Sequence, residues 1–234
     1  MYALAINGSP HMEKGNTEMI LGPLVEGMKE AGADVEILYT RKLKIAPCSG
    51  DMSCWFGANP GECAQKDDMQ AVLPKIKKAD ILVWASPVYY SGVTGQLKNL
   101  MDRQLPLHSF GEDEAGGKKK IVLVSTCGAW ELSMFDPLLA QMKALYTRPD
   151  SSSDFAGALL RPHAEVMKEL MMAGETAAVD GVFSAAKEAG RQLVVEGRIS
   201  EEVLSKVSRP LMPQDAYYKA AEERFRQAKE AMKG

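Results

Sequence analysis

Two continuous apolar runs, ILVWA at 81–85 and IVLVS at 121–125, constrain this chain most. A strand with one wet face alternates polar and apolar residues. A run that is apolar at every position needs cover on both faces, as in a parallel sheet flanked by helices. Tyr2 to Ile6 adds a third short apolar run, and Asp34 to Tyr39 alternates Val35, Ile37 and Tyr39 with more polar neighbours, as on a less covered edge strand. Phe155 to Leu160 is a fifth candidate, interrupted by Gly157. Helical spacing separates these runs. Leu21, Leu24, Val25 and Met28 recur before Gly32, and Met69, Val72, Leu73 and Ile76 follow Asp67 and Asp68, both able to cap. Pro23 falls inside the first helix, where it costs ~3 kcal/mol, so a kink or a late start is expected. Strands alternating with helices predict a three-layer α/β domain whose ligand site lies outside the carboxyl ends of the strands.

Beyond Arg161 the pattern is mostly helical, and Tyr218, Ala221, Phe225, Ala228 and Met232 form a narrow apolar stripe on a charged last helix, which reads as a docking or dimer face. At 234 residues the chain suits one core over 1–195 with a helical extension at 196–234. The formal charge of −3 is spread along the chain, leaving no basic stripe for a phosphate backbone, so nucleic acid is excluded as a partner. No apolar run approaches the ~20 residues of a membrane span, and YALAI is too short and lacks the basic flank of a signal peptide; a cytoplasmic protein is expected. Cys48, Cys54 and Cys63 cluster, which in such a protein fits metal or redox chemistry better than disulfides.

The first strand empties into NGSPHMEKGNT before a helix begins. A helix N-terminus offers unpaired N–H groups and a favourable dipole to an anion. Ser9, Asn16 and Thr17 add neutral donors, while Gly8 and Gly15 let the backbone approach a ligand. The spacing matches neither a G-K-[ST] phosphate loop nor a GxGxxG dinucleotide turn, so a single phosphate monoester fits best. Pro87, Val88, Tyr89 and Tyr90 stand at the end of one central run, followed by Gly92, and Thr126, Cys127, Gly128 and Trp130 at the end of its neighbour. An aromatic, apolar platform beside a phosphate loop suits flavin mononucleotide (FMN).

NGSPHMEKGNT, the PC...C...GEC...DDM stretch, ADILVWASPVYY and SGVTGQLKNLMDR, in this order, resemble the NADPH-dependent FMN reductase family of flavodoxin-like proteins, including its iron–sulfur flavoprotein branch. The likeness covers about the first 130 residues well and the rest in outline. It implies a flavodoxin-like three-layer sandwich, a five-stranded parallel sheet in the order 2-1-3-4-5, bound FMN, and a homodimer or homotetramer. It also implies that Ser9, Asn16 and Thr17 hold the phosphate, with His11 where the family often has Arg. Pro87, Val88, Tyr89 and Tyr90 would wrap the ring and Thr126 to Gly128 support its other side. Asp102 and Arg103 read instead as a surface ion pair at a helix end.

A flavin supplies redox chemistry itself, so no side-chain nucleophile is required. The expected function is an oxidoreductase passing electrons from NAD(P)H through FMN to a second acceptor; the alternative is a non-enzymatic electron-transfer flavoprotein. In the iron–sulfur branch the cysteine loop resembles C-x2-C-x2-C with a fourth, more distant Cys, whereas here Asp51 stands in the second position among Cys48, Cys54 and Cys63. Three thiolates and a carboxylate suffice for zinc or a labile cluster. Ligand softness favours a loop that has lost its cluster.

Overall fold

The computed structural model describes residues 1–108, 118–148 and 151–232. Five parallel strands, β1 (Tyr2–Asn7), β2 (Asp34–Tyr39), β3 (Ile81–Pro87), β4 (Lys119–Thr126) and β5 (Ser153–Arg161), lie in the order β2-β1-β3-β4-β5. This is the flavodoxin-like order, with the alternating strand β2 at one edge. The order in which strands are added reverses between β1 and β3, the place where α/β sheets open a crevice at their carboxyl ends.

Alternation along each strand feeds two cores. Ala3, Ala5, Val83, Ala85, Val122 and Val124 face α1 (Asn16–Glu30) and α7 (Ala177–Glu196), while Leu4, Ile6, Leu82, Trp84 and Leu123 face α3 (Met69–Lys78), α4 (Gly95–Asp102) and α5 (Asp136–Tyr146). The first face is built of small residues because two helices crowd it. A Cβ on Gly27 would stand 1.8 Å from the Lys187 carbonyl oxygen, and one on Gly190 would stand 2.1 Å from that of Leu24. Only glycine permits α1 and α7 to cross with their backbones in contact.

Three local expectations change. α1 starts at Asn16 and runs through Pro23, so there is no late start; Ile20, Leu21, Leu24 and Met28 are fully buried, and this packing outweighs the proline penalty. Gly157 does not end β5: register against β4 slips between Ile121 and Val122, and Gly157 absorbs the bulge at φ +149°. The carboxylate of Asp67 accepts from Met69 N (3.1 Å) at the start of α3, whereas Asp68 turns away to Lys44 N (2.7 Å).

After β5 come α6 (Glu165–Met172), α7, α8 (Glu201–Ser208) and α9 (Gln214–Ala231). The segment beyond α7 is tied to the β5 edge. Ile199 N donates to Ala156 O (3.3 Å), Ser208 Oγ to Leu160 O (2.9 Å), and the buried Arg161 Nη1 to Val207 O and Arg209 O (both 2.8 Å). None of the described helices is long and apolar enough to cross a membrane.

Candidate flavin site at the strand ends

The loops after β1, β3 and β4 are knitted together by buried hydroxyls. Gly8 N donates to Ala85 O (2.7 Å), and Thr94 Oγ1 donates to Gly8 O (2.8 Å) while capping α4. Ser86 Oγ donates to Pro87 O (2.8 Å) and accepts from Thr94 N (3.1 Å). Val88 N donates to Thr126 O (2.8 Å). Thr17, in the first turn of α1, meets Thr126 at the end of β4 with 2.9 Å between their hydroxyl oxygens. Both residues are buried.

The first loop is closed on itself. Ser9 N donates to Asn7 Oδ1 (2.8 Å), His11 N donates to Ser9 Oγ (3.3 Å), and Asn7 Nδ2 donates to Glu18 Oε2 (2.8 Å). Burial pushes the Glu18 carboxyl up, against the pull of Asn7 and Tyr39. A Cβ on Gly15 would lie 2.6 Å from Ser9 Oγ, so any larger residue there would have to displace that hydroxyl. Gly15 is the N-cap of α1 and no side chain caps it. Glu18 N closes on Gly15 O (3.2 Å), and the first two amides of α1 are left for an anion. Ser9, Gly15, Asn16 and Thr17 all stand at this corner; His11 is exposed beside it.

After β3 the chain makes a tight turn in which Tyr89 N donates to Gly92 O (2.9 Å) and Gly92 N to Tyr89 O (3.0 Å). Tyr90 (φ +49°) and Ser91 (φ +62°) occupy the left-handed region in succession. Each costs ~1–2 kcal/mol there. The turn leaves Tyr89 half exposed and Tyr90 fully exposed, at the rim of the strand ends. Both rings are thereby presented at the rim and not packed into the core.

The loop after β4 is held from behind. Cys127 O accepts from Ala164 N (3.0 Å), Ala129 O accepts from His163 N (2.7 Å), and the Tyr217 hydroxyl, delivered by α9, bonds Gly128 O. Trp130 stacks on His163 (centroids 4.5 Å, 19°) with Tyr217 5.5 Å from its ring. His163 Nε2 lies 2.8 Å from Arg161 Nη2 and 3.3 Å from Leu211 N, both donors, so the imidazole is neutral with its proton on Nδ1. Burial, helped by Arg161, lowers the His163 pKa to about 4. Burial pushes the Cys127 thiol up, so it stays protonated.

Sequence reasoning missed Arg161, His163 and Tyr217. No motif marks them, because Arg161 reaches Val207, His163 reaches Leu211 and Tyr217 reaches Gly128, 46, 48 and 89 residues away along the chain. It also misplaced Arg103. Asp102 pairs with Lys98 (2.6 Å) on the surface of α4, while Arg103 is only 1 % exposed and grips both oxygens of Asp67 (2.9 and 3.1 Å) and Ala46 O (3.0 Å). A residue just past a short helix can face inward where the next loop, here the cysteine loop, needs an anchor. The last helix likewise docks through Tyr217, and the stripe residues Tyr218, Phe225 and Met232 stay exposed on this chain.

Residues 1–149 match the NADPH-dependent FMN reductase family, about two thirds of the chain. The chain belongs to that family. Among individual relatives, an iron–sulfur flavoprotein of Archaeoglobus fulgidus is 42% identical over 44% of this chain and 48% of its own length. An iron–sulfur flavoprotein of Methanocaldococcus jannaschii is 37% identical over 46% of this chain and 53% of its own. The chain thus spans about half the length of the curated relatives it matches. Among solved structures, an NAD(P)H:quinone oxidoreductase from Methanothermobacter marburgensis superposes with a TM-score of 0.59 at 17% identity, covering 82% of this chain and 96% of that one. An FMN-dependent NADH-azoreductase from Bacillus anthracis, in complex with FMN, superposes with a TM-score of 0.57 at 14% identity, covering 83% and 100%. These two likenesses carry the fold alone.

For a member of this family the corner at Gly15 fits a phosphate, with an uncapped helix N-terminus and hydroxyl groups around the backbone. The cysteine loop fits a cluster poorly. The Asp51 carboxylate is engaged by the Ser49 hydroxyl and by Ser53 N (2.8 Å), which hold its pKa near about 2. Cys54 is buried and Cys48 exposed, and among the described residues no three His, Cys, Asp or Glu side chains converge on a metal-sized site. Gln65 bridges the loop instead, donating to Pro47 O (3.0 Å) and accepting from Ser49 N (3.2 Å).

Proposed function

We propose that this protein is an FMN-dependent NAD(P)H oxidoreductase that passes electrons to a second, diffusible acceptor such as a quinone or a free flavin. Family membership supports the cofactor class. The observation that carries the reading is the meeting of three loops at the strand ends, with an uncapped helix N-terminus at one corner and the exposed Tyr89–Tyr90 turn at the other. Bound FMN would supply hydride and electron transfer. The protein's own residues do the rest. Ser9, Asn16, Thr17 and the amides of α1 bind a phosphate; His11 stands at the same corner without a permanent charge. Pro87, Val88, Tyr89, Tyr90 and Gly92 present one wall, and Thr126, Cys127 and Gly128 the other. Cys127 contributes a small protonated group, and flavin chemistry requires no side-chain nucleophile.

The exposed rings of Tyr89 and Tyr90 leave the rim open to a nicotinamide or an acceptor, which favours turnover over a sealed electron carrier. A second reading, an electron-transfer flavoprotein, draws on the names of the most similar relatives. The apolar stripe of α9 supports a homodimer or larger assembly. The test is purification followed by mass analysis of heat-released cofactor, then anaerobic titration with NADH and NADPH. FMN released and bleached by either nucleotide supports the proposal. FAD, or no flavin even after reconstitution, refutes it, and FMN that neither nucleotide reduces moves the protein to the electron-carrier class.

A further inference from the structure

The carbonyls of residues 126–129 are all turned into the protein: Thr126 O to Val88 N, Cys127 O to Ala164 N, Gly128 O to the Tyr217 hydroxyl and Ala129 O to His163 N. All peptide bonds of the described residues are trans. In a trans peptide the N–H of one residue points opposite to the carbonyl of the residue before it. Tying back the carbonyls of 127, 128 and 129 therefore turns the N–H groups of Gly128, Ala129 and Trp130 away from α6 and α9. None of the three donates to a backbone carbonyl among the described residues, and Ala129 N turns toward the Cys127 thiol. They form a row of backbone donors at the carboxyl end of β4.

Of the three tethers, two come from the adjoining 163–164 segment and one from 89 residues away. We infer that Tyr217, carried in by α9, is a positioning residue for the flavin site, holding the Gly128 carbonyl so that the loop after β4 presents this N–H row to the ligand. The inference rests on the reading that the strand-end cleft holds FMN. Tyr217 is built for such a task. Its ring is buried against the stacked pair of Trp130 (5.5 Å) and His163 (5.8 Å), its hydroxyl shares one proton between Gly128 O and Glu165 Oε1 (2.9 Å), and Arg224 lies over its ring at 5.9 Å. Burial and the neighbouring Glu165 push the phenol pKa up, so the proton stays on the oxygen as a donor. The extension is then part of the site. A reduced flavin carries more negative charge on its ring than an oxidised one, and oriented N–H dipoles stabilise that added charge.

The test compares native protein with Tyr217→Phe, which removes the hydroxyl and keeps the ring. Kd for oxidised FMN is read by fluorescence quenching and the two-electron midpoint potential by dye equilibration. The variant should bind reduced FMN about tenfold more weakly relative to oxidised FMN, which makes the potential about 30 mV more negative. Tyr218→Phe, which removes the neighbouring hydroxyl that bonds Glu131, should leave it unchanged. In the native protein, FMN should slow hydrogen exchange of the Gly128, Ala129 and Trp130 amides, a readout independent of any variant. An unchanged potential in Tyr217→Phe, or equal weakening of both redox states, overturns the positioning role, as does unslowed exchange. Failure of the native chain to bind FMN at all instead refutes the functional reading on which the inference stands.

Discussion

Thr17 is where the fold and the proposed ligand compete for one hydroxyl. The Thr17 and Thr126 oxygens are 2.9 Å apart in a buried position, and either can donate. If Thr126 donates, the Thr17 proton is free for a phosphate oxygen. Thr17→Ala has two separable costs. Losing the pair leaves the buried Thr126 hydroxyl without its partner, which destabilises the folded protein by about 1–2 kcal/mol. Losing a hydroxyl donor to a charged phosphate weakens FMN by about 1–2 kcal/mol, roughly 5- to 30-fold in Kd. Thr17→Val combined with Thr126→Val removes both partners at nearly constant shape, so stability should return to within about 1 kcal/mol of native while the FMN loss persists. The assays are urea unfolding of the apo protein and fluorescence titration with FMN and riboflavin, which share the ring and differ in the phosphate. Riboflavin affinity should change less than twofold. Equal losses for FMN and riboflavin would refute a phosphate contact and leave Thr17 a helix-to-strand strut.

Acid should loosen the extension. The His163 pKa is about 4 folded against 6.5 for the free side chain, so between these values the unfolded chain binds more protons and stability falls as pH drops. The loss from pH 6.5 to 4 is up to about 3 kcal/mol in urea unfolding, and His163→Gln should flatten that limb of the profile. A native profile flat between pH 6.5 and 5 would contradict this. Asp67→Ala strands the buried Arg103 guanidinium and should cost about 3–5 kcal/mol, whereas Arg103→Met should cost distinctly less; equal costs in thermal or urea unfolding would mean the pair matters only through packing. For the cysteine loop, aerobic and anaerobic preparations of the native chain should show the same flavin spectrum, with iron and acid-labile sulfide appearing at most in Asp51→Cys. Near-stoichiometric iron and sulfide in the native protein would overturn the reading of a lost cluster.

What the sequence determined by itself is what local pattern controls. Continuous runs at 81–85 and 121–125 can be covered only from both sides, and alternation at 34–39 only from one, so the layers and the edge strand were legible without coordinates. The Gly-Ser-Asn-Thr loop was legible as the entry to a helix N-terminus, whose chemistry lies in the backbone. Gly157 signalled a real irregularity, the slip of β5 against β4, whereas α1 runs through Pro23 because of the burial around it. Only the tertiary structure decided the rest. Tyr217 meets Gly128 and Arg161 meets Val207 across long stretches of chain, and the phase of α9 that buries Tyr217 while exposing Tyr218 is set by the surface it lands on, not by its own stripe. Arg103 looked like a surface cation because its neighbours in sequence are polar; its inward turn depends on Asp67, which folding brings to it from the start of α3. Side-chain contacts of this kind have no period along the chain, and so leave no pattern in it to read.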